Sequence, residues 1–275
     1  MRTGAIHATG WGAVVLAAAA WAAADGPAPL AVPAHRTMEN RAFVVGERLQ
    51  YQVHFSGVSG GTVVQDVVSI ESLAGRPAYR VVSEARTNKT FDLFHRTRDR
   101  NESWIDVQNL SSLKYVESIE EGSYRKRAET VVDASAGRLQ HTYKTTKHEG
   151  QTSVDVPPFP QDAVSIVYFL RVRPLRVGDV FDLPTYSGGE VYRSTVRVGE
   201  MEKVKVPAGV FQCYHVVPSL DGDGKQKNQI EVWLSTGPER WPVLLKSRLT
   251  FGSFTARLTD RVPGRIEPPP ASVAQ

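Results

Sequence analysis

Most of the chain alternates apolar and polar residues with a period of two, and this pattern constrains the fold more than any other feature. Leu49, Tyr51, Val53 and Phe55 alternate with polar residues along one segment. Such alternation is typical of a β-strand with one buried face and one solvated face. Similar segments follow at short intervals, separated by Gly, Pro, Asn and Asp. Because connections this short cannot form parallel crossovers, the pattern predicts antiparallel strands joined as a meander.

The expected fold class is therefore mostly β: an antiparallel meander forming an open half-barrel, with a closed barrel or a sandwich as alternatives. One segment departs from this period. Gln161–Arg173 carries Val167 and Leu170 at helical spacing, with Asp162 as the expected N-cap and Pro174 as the stop. It predicts one central helix that plugs or caps the sheet. The segment 91–94 is expected to form a second, short helical turn.

The two ends of the chain differ from its body. Residues 1–24 combine Arg2, a short apolar run and the small residues Ala22–Ala24, an order typical of a secretory signal peptide. We expect a linker over 25–40, a single large β domain over 41–262 and a Pro-rich tail over 263–275. The expected location is the periplasm, with no transmembrane segment after signal removal.

Composition excludes several classes of protein. Cys213 is the only cysteine, so no intrachain disulfide is possible, and it lies too far from the leader to carry a lipid anchor. The net charge of +4 is small, and the basic residues are not gathered in one motif. Nucleic acid is therefore not an expected partner.

No recognisable catalytic or metal motif is present in the sequence. There is no Gly-x-Ser-x-Gly elbow, and the seven histidines include no zinc-binding spacing. Asp221–Gly224 lacks the ligand spacing of a calcium loop and predicts a turn. Cys213 falls on an alternating strand face, where an inert thiol is expected. We expect no metal and no cofactor, and whether the protein is an enzyme stays open.

Aromatic and cationic residues are interleaved between residues 91 and 127, and they occur again on the predicted helix. This mixture could hold an amphiphile, with rings against acyl chains and cations at its phosphate. An amphipathic sheet with a basic outer face would give the same pattern. The candidate ligand-binding residues are Phe91, Phe94, Arg96, Trp104, Tyr124, Arg125, Tyr168 and Arg171.

A weak internal sequence repeat is also visible. Val45-Gly46-Glu47 resembles Val177-Gly178-Asp179, and each is followed by Ser-Gly-Gly. The two spacings differ and the residues are common in turns, so duplication stays an open question.

Several stretches of the chain, in their order and spacing, carry a family resemblance: Phe43–Val53, Gly60–Gly61, Gly75–Tyr79, Asp162–Arg171, Pro174–Leu175, Gly178, Val206–Phe211, Ile230–Ser235 and Pro242–Val243. Together they resemble the exported bacterial proteins grouped as domain of unknown function 3108, over about Phe43 to Leu258. The resemblance implies export and a mostly β body, and it implies no reaction. In architecture alone, the chain is also similar to periplasmic lipoprotein carriers, which curl a sheet around a helical plug.

Three functions agree with these observations. The leading hypothesis is a non-enzymatic periplasmic protein that binds or carries a lipid or another amphiphilic envelope component. The first alternative is an envelope hydrolase acting on a cell-wall polymer, whose acids converge only in three dimensions. The second is a scaffold that uses its sheet edges to bind an envelope protein.

Overall fold

A computed structural model describes residues 35–220, 229–249 and 252–264. Within these ranges, fourteen strands form one antiparallel sheet. Their bounds are β1 Arg48–Phe55, β2 Val58–Leu73, β3 Arg76–Thr87, β4 Arg98–Asp106, β5 Ser112–Glu121, β6 Tyr124–Asp133, β7 Arg138–Thr145, β8 Glu149–Asp155, β9 Val180–Ser187, β10 Glu190–Val206, β11 Gly209–Leu220, β12 Gln229–Ser235, β13 Pro242–Leu249 and β14 Gly252–Val262. Two helices complete the described part, α1 Lys89–Asp92 and α2 Ser165–Val172. The signal-peptide and Asp221–Gly224 turn predictions lie outside the described residues.

The sheet is a meander with a single long-range junction. Strands β1 to β8 pair in sequence order, and so do β9 to β14. The halves meet where β1 pairs with β14, so that Val53 faces Ala256. Strands β8 and β9 are the two edges and do not pair, which leaves the sheet open. The prediction of a mostly β, antiparallel, open architecture is confirmed.

Although the sheet stays open, a short segment before α2 links its two arms. The Gln161 amide donates to the Pro184 carbonyl at 2.8 Å, and the Tyr186 amide donates to the Gln161 carbonyl at 2.9 Å. On the other side, the Ser112 amide donates to the Pro160 carbonyl at 2.9 Å. The start of β5 and strand β9 are thereby brought together. The sheet is rolled around α2.

The predicted helix over Gln161–Arg173 is too long at its start, because Gln161 is extended in this bridge with β9. The helix begins at Ser165. Asp162 still caps it, since its Oδ1 accepts hydrogen bonds from the amides of Val164 at 2.7 Å and Ser165 at 2.8 Å. Every residue from Ser165 to Arg171 is buried, because the sheet surrounds the helix.

The short helical turn predicted over 91–94 is α1, which begins two residues earlier. Asn88 caps it, and its Oδ1 accepts a hydrogen bond from the Phe91 amide at 2.9 Å. This helix connects β3 to β4 at the end of the sheet where the β1–β2 turn lies.

The weak internal repeat around Gly46 and Gly178 corresponds to equivalent turns in the two halves. The Gly46 amide donates to the Val67 carbonyl at 2.8 Å, and the Gly178 amide donates to the Val198 carbonyl at 2.9 Å. Both glycines have φ of +87°, which favours glycine over residues with a Cβ. The strands that follow have 8, 16 and 12 residues in one half and 8, 17 and 12 in the other. The two halves therefore begin with the same layout.

Candidate functional site

The concave face of the sheet holds a narrow cavity beneath α2. The space between α2 and the sheet measures about 810 Å³ when the open solvent at its mouth is included, and the cavity itself has a volume of about 50 Å³. The helix side contributes Ala163, Ile166, Val167 and Leu170. The sheet side contributes apolar side chains from both halves: Tyr51, Val63, Pro218, Ile230, Val232, Pro242, Leu245, Phe254 and Ala256. Since the walls are mostly aliphatic and aromatic, the cavity suits an apolar group.

Two buried hydroxyls also line this cavity. Ser83 is 1 % exposed and Ser247 is 6 % exposed, and neither Oγ has a hydrogen-bond partner among the described residues. A buried polar group without a partner costs roughly 1–3 kcal/mol. Such groups are therefore expected to meet a ligand or a bound water. They give the apolar cavity two fixed polar contacts.

The wall becomes more polar beyond Ser83. The register of β2 to β5 places Gln65 opposite Ser83, Ser83 opposite Asn101, and Asn101 opposite Glu117. Asn101 is buried, and its Oδ1 has no partner among the described residues. We call these four residues the polar row. The concave face is thus amphipathic, with an apolar part under α2 and the polar row across β2 to β5.

A buried pair of carboxyl groups lies beside the polar row. Asp99 and Glu121 are 2 % and 3 % exposed. Burial, and then the nearby charge of Glu121, raise the pKa of Asp99 to about 8. Asp99 is therefore mostly protonated at neutral pH. The carboxylate of Glu117 is neutralised by the Lys126 ammonium at 2.9 Å. Protonated Asp99 can therefore donate a hydrogen bond here, and Glu117 adds a carboxylate whose charge is compensated.

Two of the predicted ligand-binding residues, Tyr168 and Arg171, lie on α2 inside the core. The Arg171 guanidinium donates to both carboxylate oxygens of Glu47, at 2.6 and 2.7 Å, and to the Ala42 carbonyl at 3.0 Å. The Tyr168 ring packs edge-on against Phe43, with centroids 4.6 Å apart. In this arrangement, Arg171 ties the helix to the turn before β1.

The other six predicted residues lie elsewhere. Trp104 is on the outer face, where its Nε1 donates to Glu71 at 2.8 Å and Arg80 lies over its ring. Tyr124 and Arg125 begin β6 at the rim of the sheet. Three more residues belong to α1 and the connection after it: Phe91, which is half-buried, and Phe94 and Arg96, which are exposed. The structure does not bring the eight residues together, and their role in ligand binding stays a prediction.

Sequence reasoning missed the residues that line the cavity. Ser83 and Ser247 are the two that the sequence could have indicated. Each is a small polar residue on a strand face, and the residues paired with it in register are apolar or carry an amide. Pairing of β1 with β14 joins residues about 200 positions apart, and no local pattern reveals that junction.

Other chemistry is limited within the described residues. Burial raises the pKa of Cys213 to about 12, so its sulfur is a neutral thiol at physiological pH. No group of three His, Cys, Asp or Glu side chains in the described ranges is arranged to hold a metal ion. No described helix is long and apolar enough to cross a bilayer.

Comparison with known proteins decides the family. The sequence pattern of DUF3108, described as a protein of unknown function, matches residues 50–259. The chain belongs to the DUF3108 family. No curated protein matches it. The predicted membership is confirmed, and the family's description supplies no reaction.

Solved structures show what the DUF3108 fold is similar to. A β-barrel-like protein of DUF1849 from Brucella abortus has 14 % identity and a TM-score of 0.58, over 82 % of this chain and 100 % of its own. A protein of YmcC-like fold from Bacteroides fragilis NCTC 9343 has 12 % identity and a TM-score of 0.32, over 83 % of this chain and 100 % of its own. At such low identity, the first likeness shows a shared β-barrel-like fold and no function.

Proposed function

We propose that this protein binds the apolar chain of a lipid or another amphiphile in the cavity beneath α2 and acts as a non-enzymatic carrier. The observation that carries the proposal is the cavity itself: an apolar space under a buried helix, with two unpartnered hydroxyls in its wall.

The amphipathic concave face supports an amphiphile over a purely apolar ligand. The tail lies against Ile166, Val167 and Leu170, while Ser83 and the polar row meet polar atoms nearer the head group. Because Asp99 is protonated and Glu117 is paired with Lys126, hydrogen bonding dominates this end of the site. A head group or linkage rich in hydroxyl, ester or amide groups suits it.

Export completes the proposed role. The leader-like segment over 1–24 directs the chain to the periplasm, where a lipid that crosses the aqueous space needs a protein to cover its acyl chains. A cavity enclosed between a helix and a rolled sheet provides such cover.

Titration with a fluorescent fatty acid tests binding in the cavity. Val167→Phe places a larger side chain into the space, and Val172→Phe adds the same volume on α2 at a position that does not line it. We expect V167F to weaken probe binding at least tenfold and V172F to stay within twofold of the wild type. Equal binding by both variants, or no binding by the wild type, would overturn the proposal.

The unpartnered hydroxyls allow a second test with the same probe. Ser83→Ala and Ser247→Ala remove no hydrogen bond within the described protein, so neither should lower the free energy of unfolding. If the ligand accepts hydrogen bonds from these hydroxyls, each substitution should weaken its binding about 2- to 10-fold. Unchanged affinity in both variants would exclude direct contact.

The hydrolase is the second candidate, favoured by the Asp99–Glu121 pair. Glycoside hydrolysis uses two carboxyl groups, of which one, like Asp99, has a raised pKa and donates a proton. Both groups are almost fully buried, which keeps a polymer from reaching them and ranks this function second. Release of soluble fragments from purified cell wall, abolished by Asp99→Asn, would favour it over the carrier.

A further inference from the structure

One end of the sheet carries an exposed apolar patch, which we call the tip. It consists of Val58 at the start of β2 and of Leu93 and Phe94 after α1, which are 60 %, 81 % and 83 % exposed. The Asn88 amide donates to the Gly60 carbonyl at 2.9 Å, and its Nδ2 donates to the Ser59 carbonyl at 2.9 Å. These bonds hold the two segments side by side, so that the three exposed side chains lie at the same end of the sheet.

Hydrogen bonds and an ion pair fix the conformation of the tip. The Phe94 and His95 amides both donate to the Phe91 carbonyl, at 2.9 and 2.8 Å. Asp92 accepts from Arg98 at 2.5 Å, which fixes the end of α1 to the start of β4. Large apolar side chains exposed on a fixed scaffold indicate an interaction surface.

Several cations lie at the same end of the sheet as the tip. Lys89 and Arg96 are exposed and form no ion pair within the described ranges, and Arg125 reaches Glu120 only at 3.8 Å. Hydrogen bonds between Arg125 and Thr146 bring the β7–β8 turn, with exposed Lys147, to the same end. The nearest acid on α1, Asp92, is neutralised by Arg98. An apolar patch with several exposed cations at the same end of the sheet complements an anionic lipid surface.

Apolar packing continues from the tip to the wall of the cavity. Phe91 and Phe55 pack against a core cluster that includes Phe254, and Phe254 lines the cavity. The Ser56 amide donates to the Ser253 carbonyl at 2.8 Å, which places the β1–β2 turn next to the start of β14. A ligand entering at this end would therefore meet apolar side chains from the tip inward.

We propose that the tip docks the protein on an anionic bilayer, with Val58, Leu93 and Phe94 entering the acyl boundary and Lys89, Arg96 and Arg125 at the phosphates. The evidence for this surface does not depend on the proposed ligand site. It extends the proposed carrier function by naming where the protein meets the membrane.

Co-sedimentation of the chain lacking residues 1–24 with vesicles tests this surface. We compare phosphatidylcholine vesicles with vesicles containing about 30 % phosphatidylglycerol, and expect at least tenfold tighter binding to the anionic ones. Leu93→Ser with Phe94→Ser should weaken that binding at least tenfold. The matched control is Val210→Ser, a 58 % exposed residue beside the β10–β11 turn at the other end of the sheet, which should stay within twofold.

Charge is tested separately with Lys89→Gln and Arg96→Gln, which should reduce both the affinity and its dependence on salt. Failure of the wild type to bind anionic vesicles, or equal binding by the L93S/F94S variant, would overturn the proposal. Crosslinking at position 94 to an envelope protein and not to lipid would overturn it in favour of a protein partner.

The two proposals fail separately. V167F should lose fatty-acid binding and keep vesicle binding, whereas L93S/F94S should keep fatty-acid binding in solution and lose vesicle binding. Loss of both activities in either variant, with the fold intact by circular dichroism, would mean that the tip is not a distinct surface.

Discussion

The ion pair between Glu47 and Arg171 offers a sharp test of how α2 is held over the cavity. The two side chains are 2 % and 0 % exposed, and they share two hydrogen bonds of 2.6 and 2.7 Å. Removing one partner of a buried pair leaves an uncompensated charge and costs roughly 3–5 kcal/mol. Against a typical domain stability of about 5–15 kcal/mol, that loss is large.

We therefore expect Glu47→Gln and Arg171→Met each to lower the free energy of unfolding by about 3 kcal/mol. The double variant should lose much less than the sum of the two, because neither charge is left alone, and a coupling of about 2 kcal/mol is expected. Urea unfolding followed by tryptophan fluorescence measures this, and Trp241 lies 5.5 Å from the guanidinium as a local reporter.

The matched control is Arg41→Gln, which breaks an exposed pair with Glu39 and should change stability by less than about 1 kcal/mol. If E47Q unfolds at the wild-type urea concentration, or if the two effects simply add, the pair does not anchor α2 and the reasoning is refuted.

Three further predictions concern other parts of the chain. The pKa of Asp99 rises from 3.8 to about 8 on folding, so the folded state binds the extra proton and stability should fall as pH rises between these values, by on the order of 3 kcal/mol from pH 5 to 8. Asp99→Asn should flatten that slope in urea unfolding at several pH values, and an unchanged slope would contradict the assignment. Gly61→Ala should cost about 1–3 kcal/mol, because its Cβ would lie 2.2 Å from the Arg86 carbonyl oxygen, whereas Gly237→Ala meets nothing closer than 3.4 Å and should be mild. Cys213 should react with a thiol reagent only in the unfolded protein, and fast labelling of the native protein would show that it is not buried.

Local patterns predicted the strands well, because alternation depends on burial alone. Leu49, Tyr51 and Val53 are all buried, as their spacing indicates. The helix start was wrong because Gln161 bonds to β9, a contact that no local signal encodes. On β4, Trp104 lies on the outer face, while its neighbour Ser103 faces inward and donates to Asp162 at 2.6 Å.

The sequence could predict the general character of the candidate site, but not the residues that form it. An apolar concave face under one helix follows from the alternation and from the spacing in α2. Its members depend on the pairing of β1 with β14 and on the roll of the sheet, which juxtapose Tyr51, Val167 and Phe254 across the fold. The carboxyl pair of Asp99 and Glu121, by contrast, arises from pairing between the consecutive strands β4 and β5.

Native mass spectrometry of the protein purified from its own cell envelope tests ligand binding at its source. For the wild type, the carrier proposal predicts an additional mass that is released on denaturation and matches a long-chain amphiphile. V167F should carry little or none of it, and V172F should carry the wild-type amount. A wild-type protein free of any such mass, or equal loading of V167F, would contradict the proposal that the cavity beneath α2 is a lipid site.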